Sequence, residues 1–380
     1  MPLIHSLRLT DFRSYAALDL SFDGRPVVLY GANGAGKTNL LEAVSLLSPG
    51  RGLRGAKPDA IARRLPEGQA PSWGVVAHLS QQTSVPETQA HLDTVKLAVG
   101  QVPEYPRRRS FRIEGKPATG AQMAALTPMM WLTPAQDRLF TGPASDRRKF
   151  LDRFCLAYAP DHGSAFLRHE KARSERNRLL SDGMRDEAWY NALETDMAEY
   201  GAQVAQTRAQ TVMALSAEIE SRPEGAFPKA KITLQGEAEA RFIHGEHISD
   251  VKAAIQSQLS QDRDDDLRAG RTRRGIHRSD LIVRHVPKDM PAQACSTGEQ
   301  KSLLIGLVLA QAQAQSEKSP ILLMDEVAAH LDELRRGAMI EELIALGTQA
   351  FLTGTDQSLF EAFAGRAQYF SFIDGALTEV

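Results

Sequence analysis

The chain has 380 residues, of which 42% are hydrophobic, a formal net charge of −2 and two cysteines. A chain of this length and composition buries a large core and is expected to form two lobes. Two cysteines exclude a disulfide framework, and no apolar run approaches the roughly 20 residues that a membrane-spanning helix needs.

The N-terminal segment lacks the apolar region of a signal peptide, so we expect a soluble, cytoplasmic protein with no membrane partner. Because the net charge is close to zero, nucleic-acid binding must come from local basic patches.

The first motif along the chain is a glycine-rich segment between an apolar strand and an amphipathic helix. The strand is predicted at Val27 to Tyr30 and the helix at Asn39 to Leu47. Glycines let the backbone N–H groups surround phosphate oxygens, and the helix N-terminus adds its positive dipole end. Lys37 is expected to reach the β and γ phosphates of ATP, and Thr38 to ligate Mg²⁺. The predicted nucleotide-binding residues here are Gly31, Ala32, Asn33, Gly34, Ala35, Gly36, Lys37, Thr38 and Asn39.

Several strands surround this motif in the first third of the chain. They are predicted at Leu3 to Leu9, Ala17 to Phe22, Trp73 to Leu79, Leu92 to Val99 and Ser110 to Ile113. Together with the P-loop strand they predict a mixed α/β lobe.

The middle of the chain turns helical. Helices are predicted at Phe150 to Tyr158, Ala165 to Leu180, Glu187 to Ser221 and Ile248 to Leu259, with a break at Arg222 to Pro228 and a strand at Lys231 to Leu234. These helices are interpreted as short and interrupted by Pro and Gly, so no long coiled coil is expected. We therefore predict an α/β ATPase head in two parts, 1–145 and 280–380, separated by a mainly helical insertion domain, 146–279.

A helix start follows the insertion. Ser296 and Glu299 form a capping box, and the run from Lys301 to Gln311 reads as a mostly buried helix. A simple helix start accounts for the capping alone. Its position shortly before an Asp-Glu strand end, in a chain with a P-loop, resembles the signature motif of ABC-type ATPases. That resemblance implies an ATP-dependent homodimer, in which the second subunit's Ser296, Gly298, Glu299 and Gln300 contact the nucleotide.

The apolar strand Ile321 to Met324 ends in two acids that point to opposite sides. Asp325 is expected to hold Mg²⁺ through water, and Glu326 to act as general base for the attacking water.

Three further positions are assigned by the same resemblance. Asp332 lies in a D-loop-like segment that would run along the dimer interface. Gln136 lies where a Q-loop glutamine would bridge the metal and the attacking water, although Asp137 is an equally polar neighbour. Thr353 lies where a switch residue would contact the γ-phosphate, and a simple turn is the alternative.

The chain as a whole resembles the RecF family of bacterial recombination mediators. The resemblance rests on Leu9 to Tyr15, the P-loop with Asn33, Trp131 to Pro134, Asp146 to Asp152, Gly275 to Leu281, Ser296 to Gln311 and Met324 to Asp332. It implies that ATP drives dimerisation, that the dimer clamps double-stranded DNA beside single-stranded gaps, and that RecR, with RecO, and RecA act with it. Slow, DNA-stimulated hydrolysis would release the clamp.

Two assignments within the resemblance are less direct. Arg13 would approach the nucleotide base, or is an exposed arginine at a strand end. The family usually has Gly-Pro-His-Arg-Asp-Asp where this chain has Gly275 to Asp280, which leaves the role of that loop open.

Four basic clusters are candidates for a DNA surface, although such clusters are more often solvated faces. They are Arg51, Arg54 and Lys57; Arg107, Arg108, Arg109 and Arg112; Arg147, Arg148, Lys149 and Arg153; and Arg268, Arg271, Arg273, Arg274 and Arg278. Arg147 and Arg148 are the first pair that we expect to bind DNA.

Three other functions are weighed. An ABC transporter subunit fits its helical insert into a much shorter interval than Thr38 to Ser296. An ATPase fused to a nuclease would need an acidic metal-binding domain after the switch strand. An ATP-binding DNA module without significant turnover stays open, because Glu326 predicts hydrolytic capacity and not its rate.

Overall fold

A computed structural model describes residues 2–70, 72–81, 94–373 and 376–380. Contacts between Cα atoms divide the chain into two compact units. The sheet unit comprises Met1–Asp137, Glu224–Phe227 and Leu304–Val380, and the helical unit comprises Arg138–Pro223 and Pro228–Leu303. The helical unit thus begins before the predicted insertion domain, 146–279. It also includes residues 280–303, which the sequence assigns to the second part of the ATPase head. No helix of the described residues has the length and apolar character that crossing a membrane requires.

The sheet unit contains a mainly parallel sheet and an antiparallel sheet. The strands are β1 (Pro2–Phe12), β2 (Tyr15–Ser21), β3 (Val27–Gly31), β4 (Arg64–Leu65), β5 (Gly68–Gln69), β6 (Gly74–Gln81), β7 (Thr94–Val102), β8 (Tyr105–Ile113), β9 (Lys116–Ala118) and β10 (Met129–Leu132), with helices α1 (Lys37–Ser45) and α2 (Gly120–Leu126). The first two residues of the predicted strand Leu92 to Val99 lie outside the described residues.

The helical unit follows. Its elements are α3 (Ala144–Tyr158), α4 (His162–Ser181), α5 (Glu187–Ser221), β11 (Ala230–Gln235), α6 (Glu237–Ile243), α7 (Ile248–Gln261), α8 (Arg263–Ala269), β12 (Asp280–His285) and β13 (Met290–Pro291). Helix α9 (Thr297–Ala314) begins in the helical unit, and from Leu304 onward it belongs to the sheet unit. The remaining elements of the sheet unit are β14 (Ile321–Met324), α10 (Glu333–Leu346), β15 (Ala350–Gly354), β16 (Gln368–Ile373) and β17 (Ala376–Glu379).

The parallel sheet has the order β10-β14-β15-β3-β16-β17, and only β17 runs antiparallel to its neighbour. Its central strands are buried apolar runs, as expected for strands that are covered on both faces. Met324 pairs with Leu132 on one side and with Leu352 on the other. The carboxyl ends of β10, β14, β15 and β3 therefore meet at one edge, where parallel α/β sheets commonly bind their ligands.

The antiparallel sheet has the order β2-β1-β6-β7-β8-β9. One apolar cluster joins its inner face to the parallel sheet and to α1, through side chains such as Leu7, Leu40 and Phe351. Helix α1 is thus fixed directly behind the loop that precedes it.

Helix α5 corrects one interpretation of the sequence. Its predicted bounds, Glu187 to Ser221, are confirmed, but it is a single helix of 35 residues rather than a short one. Gly201 does not interrupt it. A Cβ at this position would lie 3.3 Å from Cδ2 of His169, so the glycine lets α4 pack closely against α5.

Two arginines are fully buried in the helical unit, each with acidic partners. Arg176 on α4 donates to Glu194 at 3.1 Å and to Asp266 at 2.7 Å. Arg208 on α5 donates to both carboxylate oxygens of Asp152 at 2.7 and 2.9 Å. Buried charges persist only when they are paired and hydrogen-bonded. The Arg208 guanidinium helps to hold the pKa of Asp152 below its usual value, so this carboxylate stays charged.

Replacing Asp152 with Ala should destabilise the helical unit strongly. The change leaves the Arg208 guanidinium buried without its bidentate partner, which costs about 3–5 kcal/mol. Urea denaturation followed by circular dichroism measures the loss. The matched control is Glu199→Ala, which breaks the ion pair between Glu199 and Lys252. These side chains are 39% and 38% exposed, so the change should lower the free energy of unfolding by less than about 1 kcal/mol. Equal effects of the two changes would show that Arg208 reaches water in the Asp152 variant.

Candidate nucleotide site

The glycine-rich loop has the backbone shape that phosphate binding needs. It leaves β3 and enters α1, and Gly31 and Gly36 have φ angles of 143° and 116°. A Cβ at Gly31 would lie 2.9 Å from the backbone oxygen of Phe372, and one at Gly36 would lie 2.8 Å from the Tyr15 hydroxyl. Only glycine fits these two positions. Ala32, Asn33 and Gly34 at the tip of the loop are exposed, so the cradle is open to a ligand.

Lys37 is positioned beneath this loop. Its ammonium donates to the backbone oxygens of Gly31 at 2.7 Å and Ala32 at 2.9 Å. Burial lowers the pKa of Lys37, whereas the charges of Glu326 and Asp325 act in the opposite direction. The ammonium and the two acids therefore belong to one electrostatic site.

Asp325 connects the end of β14 to helix α1 and to strand β15 at the carboxyl edge of the sheet. Its Oδ1 accepts hydrogen bonds from the hydroxyl of Thr38 at 2.9 Å and from the hydroxyl of Thr353 at 2.8 Å. Thr38 lies at the start of α1, Asp325 follows β14, and Thr353 lies on β15. The sheet order thus brings together residues that are 287 positions apart in sequence.

Glu326 has a strained backbone. Its φ is 54°, a left-handed conformation that is uncommon for residues other than glycine and costs about 1–3 kcal/mol. The backbone N–H of Glu326 donates to the hydroxyl of Thr353 at 2.8 Å, which helps to hold this conformation. The half-buried side chain is thereby directed separately from that of Asp325.

Gln136 lies in the short 3-10 helix Pro134–Arg138 that follows β10. Its side-chain oxygen accepts from the backbone N–H of Thr133 at 2.8 Å. The backbone N–H of Asp325 donates to the oxygen of Leu132 at 2.8 Å, so the Gln136 segment starts beside the Asp325 strand end. The glutamine side chain is folded onto its own loop in this structure.

The predicted signature segment opens α9 within the helical unit. The capping box is confirmed: the Ser296 N–H donates to Glu299 at 2.9 Å, and the Glu299 N–H donates to the Ser296 hydroxyl at 3.4 Å. The Lys288 ammonium and the Ser296 donors lower the pKa of Glu299 to about 2. Gln300 is buried and donates to the Cys295 oxygen at 2.8 Å. The exposed residues of this helix start are Ser296, Thr297 and Gly298.

The predicted D-loop residue Asp332 is exposed and caps α10 by accepting from the Arg335 N–H at 2.8 Å. Leu334, in the first turn of α10, is 74% exposed.

Arg13 is held by protein groups on α1 and in a neighbouring loop. Its guanidinium donates to both carboxylate oxygens of the buried Glu42 at 2.8 and 2.7 Å and to the Ala60 oxygen at 2.6 Å. Its φ is 52°. In this structure Arg13 anchors a loop to α1, and its main partners are protein groups.

Sequence reasoning missed Tyr15 and Ser14. The Tyr15 hydroxyl donates to the Gly36 oxygen at 3.0 Å, and the Ser14 hydroxyl accepts from the Asn39 side chain at 2.9 Å. Both residues support the glycine-rich loop from the first β-hairpin. The available signal was the segment Leu9 to Tyr15, which carried the family resemblance without any assigned contact.

The residues present fit Mg²⁺ and a triphosphate. Hydroxyl and carboxylate oxygens of Thr38 and Asp325 are hard ligands of the kind Mg²⁺ prefers, and they already lie 2.9 Å apart. The open glycine cradle and the adjacent ammonium match an anionic phosphate chain.

The structure shows which residues of the basic clusters are bonded to other protein groups. Arg147 forms a bidentate pair with Asp280 at 2.7 and 2.8 Å, and Arg148 donates to the Ser279 oxygen at 2.7 Å. The pair that we first expected to bind DNA is thus engaged within its own unit. Arg109 is half-buried, and its guanidinium lies over the Phe111 ring at 4.6 Å. Burial lowers the pKa of Arg109 to about 10.

Other basic residues of the sheet unit remain exposed. On β8 and in the hairpin after it, Arg107, Arg108, Arg112 and Lys116 are exposed. Arg108 lies over the ring of Tyr105, which is itself 59% exposed. An exposed basic strand with an aromatic side chain is a suitable surface for a nucleic-acid backbone.

Comparison with known proteins identifies the chain's relatives. The family model described as the RecF/RecN/SMC N terminal domain matches residues 3–371. The DNA replication and repair protein RecF of Caulobacter sp. (strain K31) is 48% identical over 373 residues, which cover 95% of this chain and 94% of that protein. The protein of the same name from Mesorhizobium japonicum is 48% identical over 379 residues, covering 98% and 97%.

Solved structures show the same fold. The recombination mediator protein RecF-ATPrS in the RecFOR pathway has a TM-score of 0.81 at 22% identity and covers 100% of this chain and 98% of its own. An Smc head domain from Pyrococcus furiosus has a TM-score of 0.56 at 17% identity, covering 100% and 96%. The predicted fold class, an α/β ABC-type P-loop ATPase head with a mostly helical insertion, is confirmed.

Thr353→Val should slow nucleotide hydrolysis by about 5- to 150-fold. The change removes the donor to Asp325 and leaves the Glu326 N–H without its acceptor, and a lost buried hydrogen bond costs about 1–3 kcal/mol. Phosphate release measures the rate, and a fluorescent ATP analogue measures affinity, which should change little. Thr353→Ser keeps the hydroxyl and serves as control. A wild-type hydrolysis rate in the Thr353→Val variant would show that Thr353 does not contribute to the site.

Proposed function

This chain belongs to the RecF family, and we propose from that membership and the site geometry that it is an ATP-gated DNA-binding protein of recombinational repair and replication restart. The observation that carries the proposal is the hydrogen-bonded set of Thr38, Asp325 and Thr353 beside the Lys37 ammonium. A P-loop, a metal-binding acid and a separate general base are the parts that ATP hydrolysis requires.

Each residue has a distinct task in the proposed reaction. The glycine loop and Lys37 hold the phosphates of ATP, and Thr38 and Asp325 hold Mg²⁺, which neutralises charge on the phosphates when it is bound. Glu326 accepts a proton from the attacking water, and Thr353 fixes the backbone that orients Glu326. Gln136 would have to leave its contact with Thr133 to reach this water.

The dimer model is supported by where the predicted nucleotide contacts lie. The P-loop tip is exposed on the sheet unit, and Ser296, Thr297 and Gly298 are exposed at a helix N-terminus on the helical unit. A helix N-terminus binds anions through free N–H groups and its dipole. We infer that this end of one subunit caps the γ-phosphate on the other, with Asp332 and Leu334 at the interface.

The proposed work on DNA comes from the family. We propose that the ATP-bound dimer clamps double-stranded DNA beside single-stranded gaps and acts in the cytoplasm with RecR and RecO to help RecA. The solved relative named as a mediator in the RecFOR pathway supports these partners. Weak, DNA-stimulated hydrolysis would then release the clamp. The relatives give no support to a transporter subunit.

Dimerisation should depend on both halves of the proposed site. With ATP and Mg²⁺ at micromolar concentration, Glu326→Gln protein should form dimers by light scattering, because ATP stays bound without hydrolysis. Adding Lys37→Ala should abolish nucleotide binding and dimers. Adding Ser296→Arg should keep nucleotide binding and abolish dimers, because the substitution lies on the capping surface. Equal loss of nucleotide affinity in both variants would contradict the shared site, and a monomeric Glu326→Gln protein would contradict the dimer.

The exposed arginines of β8 should contribute to DNA binding. Arg108 and Arg112 are both exposed on β8. In the Glu326→Gln protein with ATP, adding Arg108→Gln and Arg112→Gln should lower the slope of log affinity against log salt by about 1 to 2, because each phosphate contact contributes about 0.9. Retention on gapped and blunt duplex DNA across a salt series measures it.

The matched control for this pair is Arg8→Gln. Arg8 is an arginine of the same unit, 67% exposed, and is already neutralised by Asp19 at 2.7 Å. Its slope should stay at the wild-type value. An unchanged slope in the β8 variant would place the DNA surface elsewhere.

A further inference from the structure

A cavity of about 630 Å³ lies within the helical unit, and five of its eleven lining residues are arginines. Four of them, Arg271, Arg273, Arg274 and Arg278, come from one short segment that includes the loop Gly275 to Asp280. This is the loop in which the chain departs from the usual family sequence, and the nucleotide site makes no use of it.

The acids that line the cavity are already engaged. Asp266 accepts from the buried Arg176 at 2.7 Å and from the Arg273 backbone N–H at 2.9 Å. Asp265 pairs with Arg268. Asp262 accepts from Gln258 at 2.9 Å and lies 3.9 Å from Arg274. Their charge is therefore largely committed to other partners.

Three guanidinium groups are not neutralised in this way. Arg271, Arg273 and Arg278 are exposed at the cavity, and their side chains have no ion-pair partner among the residues that the structure describes. Cations held close together repel each other, and an anion in the cavity would remove that cost. The planar guanidinium fork matches the oxygens of a phosphate group.

The segment that carries these arginines is held in place by hydrogen bonds from other arginines of the helical unit. Arg176 donates to the Thr272 hydroxyl at 2.9 Å, Arg208 to the Ile276 oxygen at 2.7 Å and Arg148 to the Ser279 oxygen at 2.7 Å. The cationic cluster is thus preorganised, so a ligand would not have to order the loop.

A second cavity of about 290 Å³ adjoins the first and shares Arg273, Arg274 and Arg278. It is lined by apolar side chains that include Met197 and Ile255. The combined site therefore suits an anionic group that is attached to a less polar body, as a phosphate is in a nucleotide chain.

We propose that this arginine-lined cavity binds a phosphate group of the DNA backbone, which gives the helical unit a DNA contact of its own. The inference rests on the proposed DNA-binding function and adds a site to it. A free nucleotide offers the same phosphate chemistry and is the second source that the experiment separates.

The test uses full-length Glu326→Gln protein with ATP and duplex DNA across a salt series. Arg273→Gln with Arg278→Gln should lower the slope of log affinity against log salt by about 1 to 2. The matched control is Arg178→Gln with Arg284→Gln, two arginines of the same unit that line neither cavity and lie near Asp182 and Asp289. It has the same change in net charge and should keep the wild-type slope. Nucleotide affinity should be unchanged in both.

Thermal melting checks that the cavity variant folds. If it does not, Arg273→Lys with Arg278→Lys keeps the charge and removes the fork, and its DNA affinity should fall severalfold at an unchanged slope. Unchanged affinity in that folded variant would overturn the inference.

Three outcomes separate the explanations. DNA binding by the parent protein together with a wild-type slope in the cavity variant overturns this inference and leaves the proposed function intact. No DNA binding by the parent protein overturns both. A fluorescent ATP analogue that binds Lys37→Ala protein, and is lost when Arg273 and Arg278 are also replaced, assigns the cavity to a free nucleotide and overturns the DNA source.

Discussion

The candidate site depends on one carboxylate oxygen that two hydroxyl groups share. Oδ1 of Asp325 accepts from Thr38 and from Thr353, so the P-loop helix, the acidic strand end and the neighbouring strand are tied together at one atom. Because Thr353 also accepts from the Glu326 N–H, the same threonine helps to set the backbone conformation of Glu326. The sheet order β14-β15-β3 makes this contact geometrically available. Without that order the three motifs would be separate sequence patterns with no common chemistry.

The helical unit solves a different physical problem. It has smaller apolar clusters than the sheet unit, and it places Arg176 and Arg208 inside them with acids from several elements. Burying ion pairs is a weak source of stability compared with apolar packing, but removing one partner is expensive. The arrangement therefore favours one packing of the helices over others. Arg148, Arg176 and Arg208 hold the arginine-bearing loop through hydrogen bonds. The loop arginines that have no ion-pair partner among the described residues line the cavity.

The sequence predicted the fold class and the local backbone of the candidate site because the motifs are local. A glycine-rich loop, a capping box and an acidic strand end each specify their own backbone, and the chain order then suggests the fold. The structural role of Arg13, Arg147 and Arg148 could not be read in this way, because their partners Glu42, Asp280 and Ser279 lie 29 to 133 residues away. A basic cluster looks alike in sequence whether its charges are exposed or paired. The contact that accommodates Gly201 within α5 is also non-local, since His169 on α4 packs against it.

Under the proposed function, the division of the nucleotide contacts explains why ATP would control assembly. The N–H groups at the exposed N-terminus of α9 gain little stabilisation from solvent. The open P-loop tip leaves one side of the bound phosphates uncovered. A ligand that is bound better by two subunits than by one must shift the monomer–dimer equilibrium by that difference in affinity. Removing the γ-phosphate removes the contact on which the difference depends, so hydrolysis weakens the dimer without any further mechanical device. A DNA clamp built on this linkage opens at the rate at which its ATP is hydrolysed.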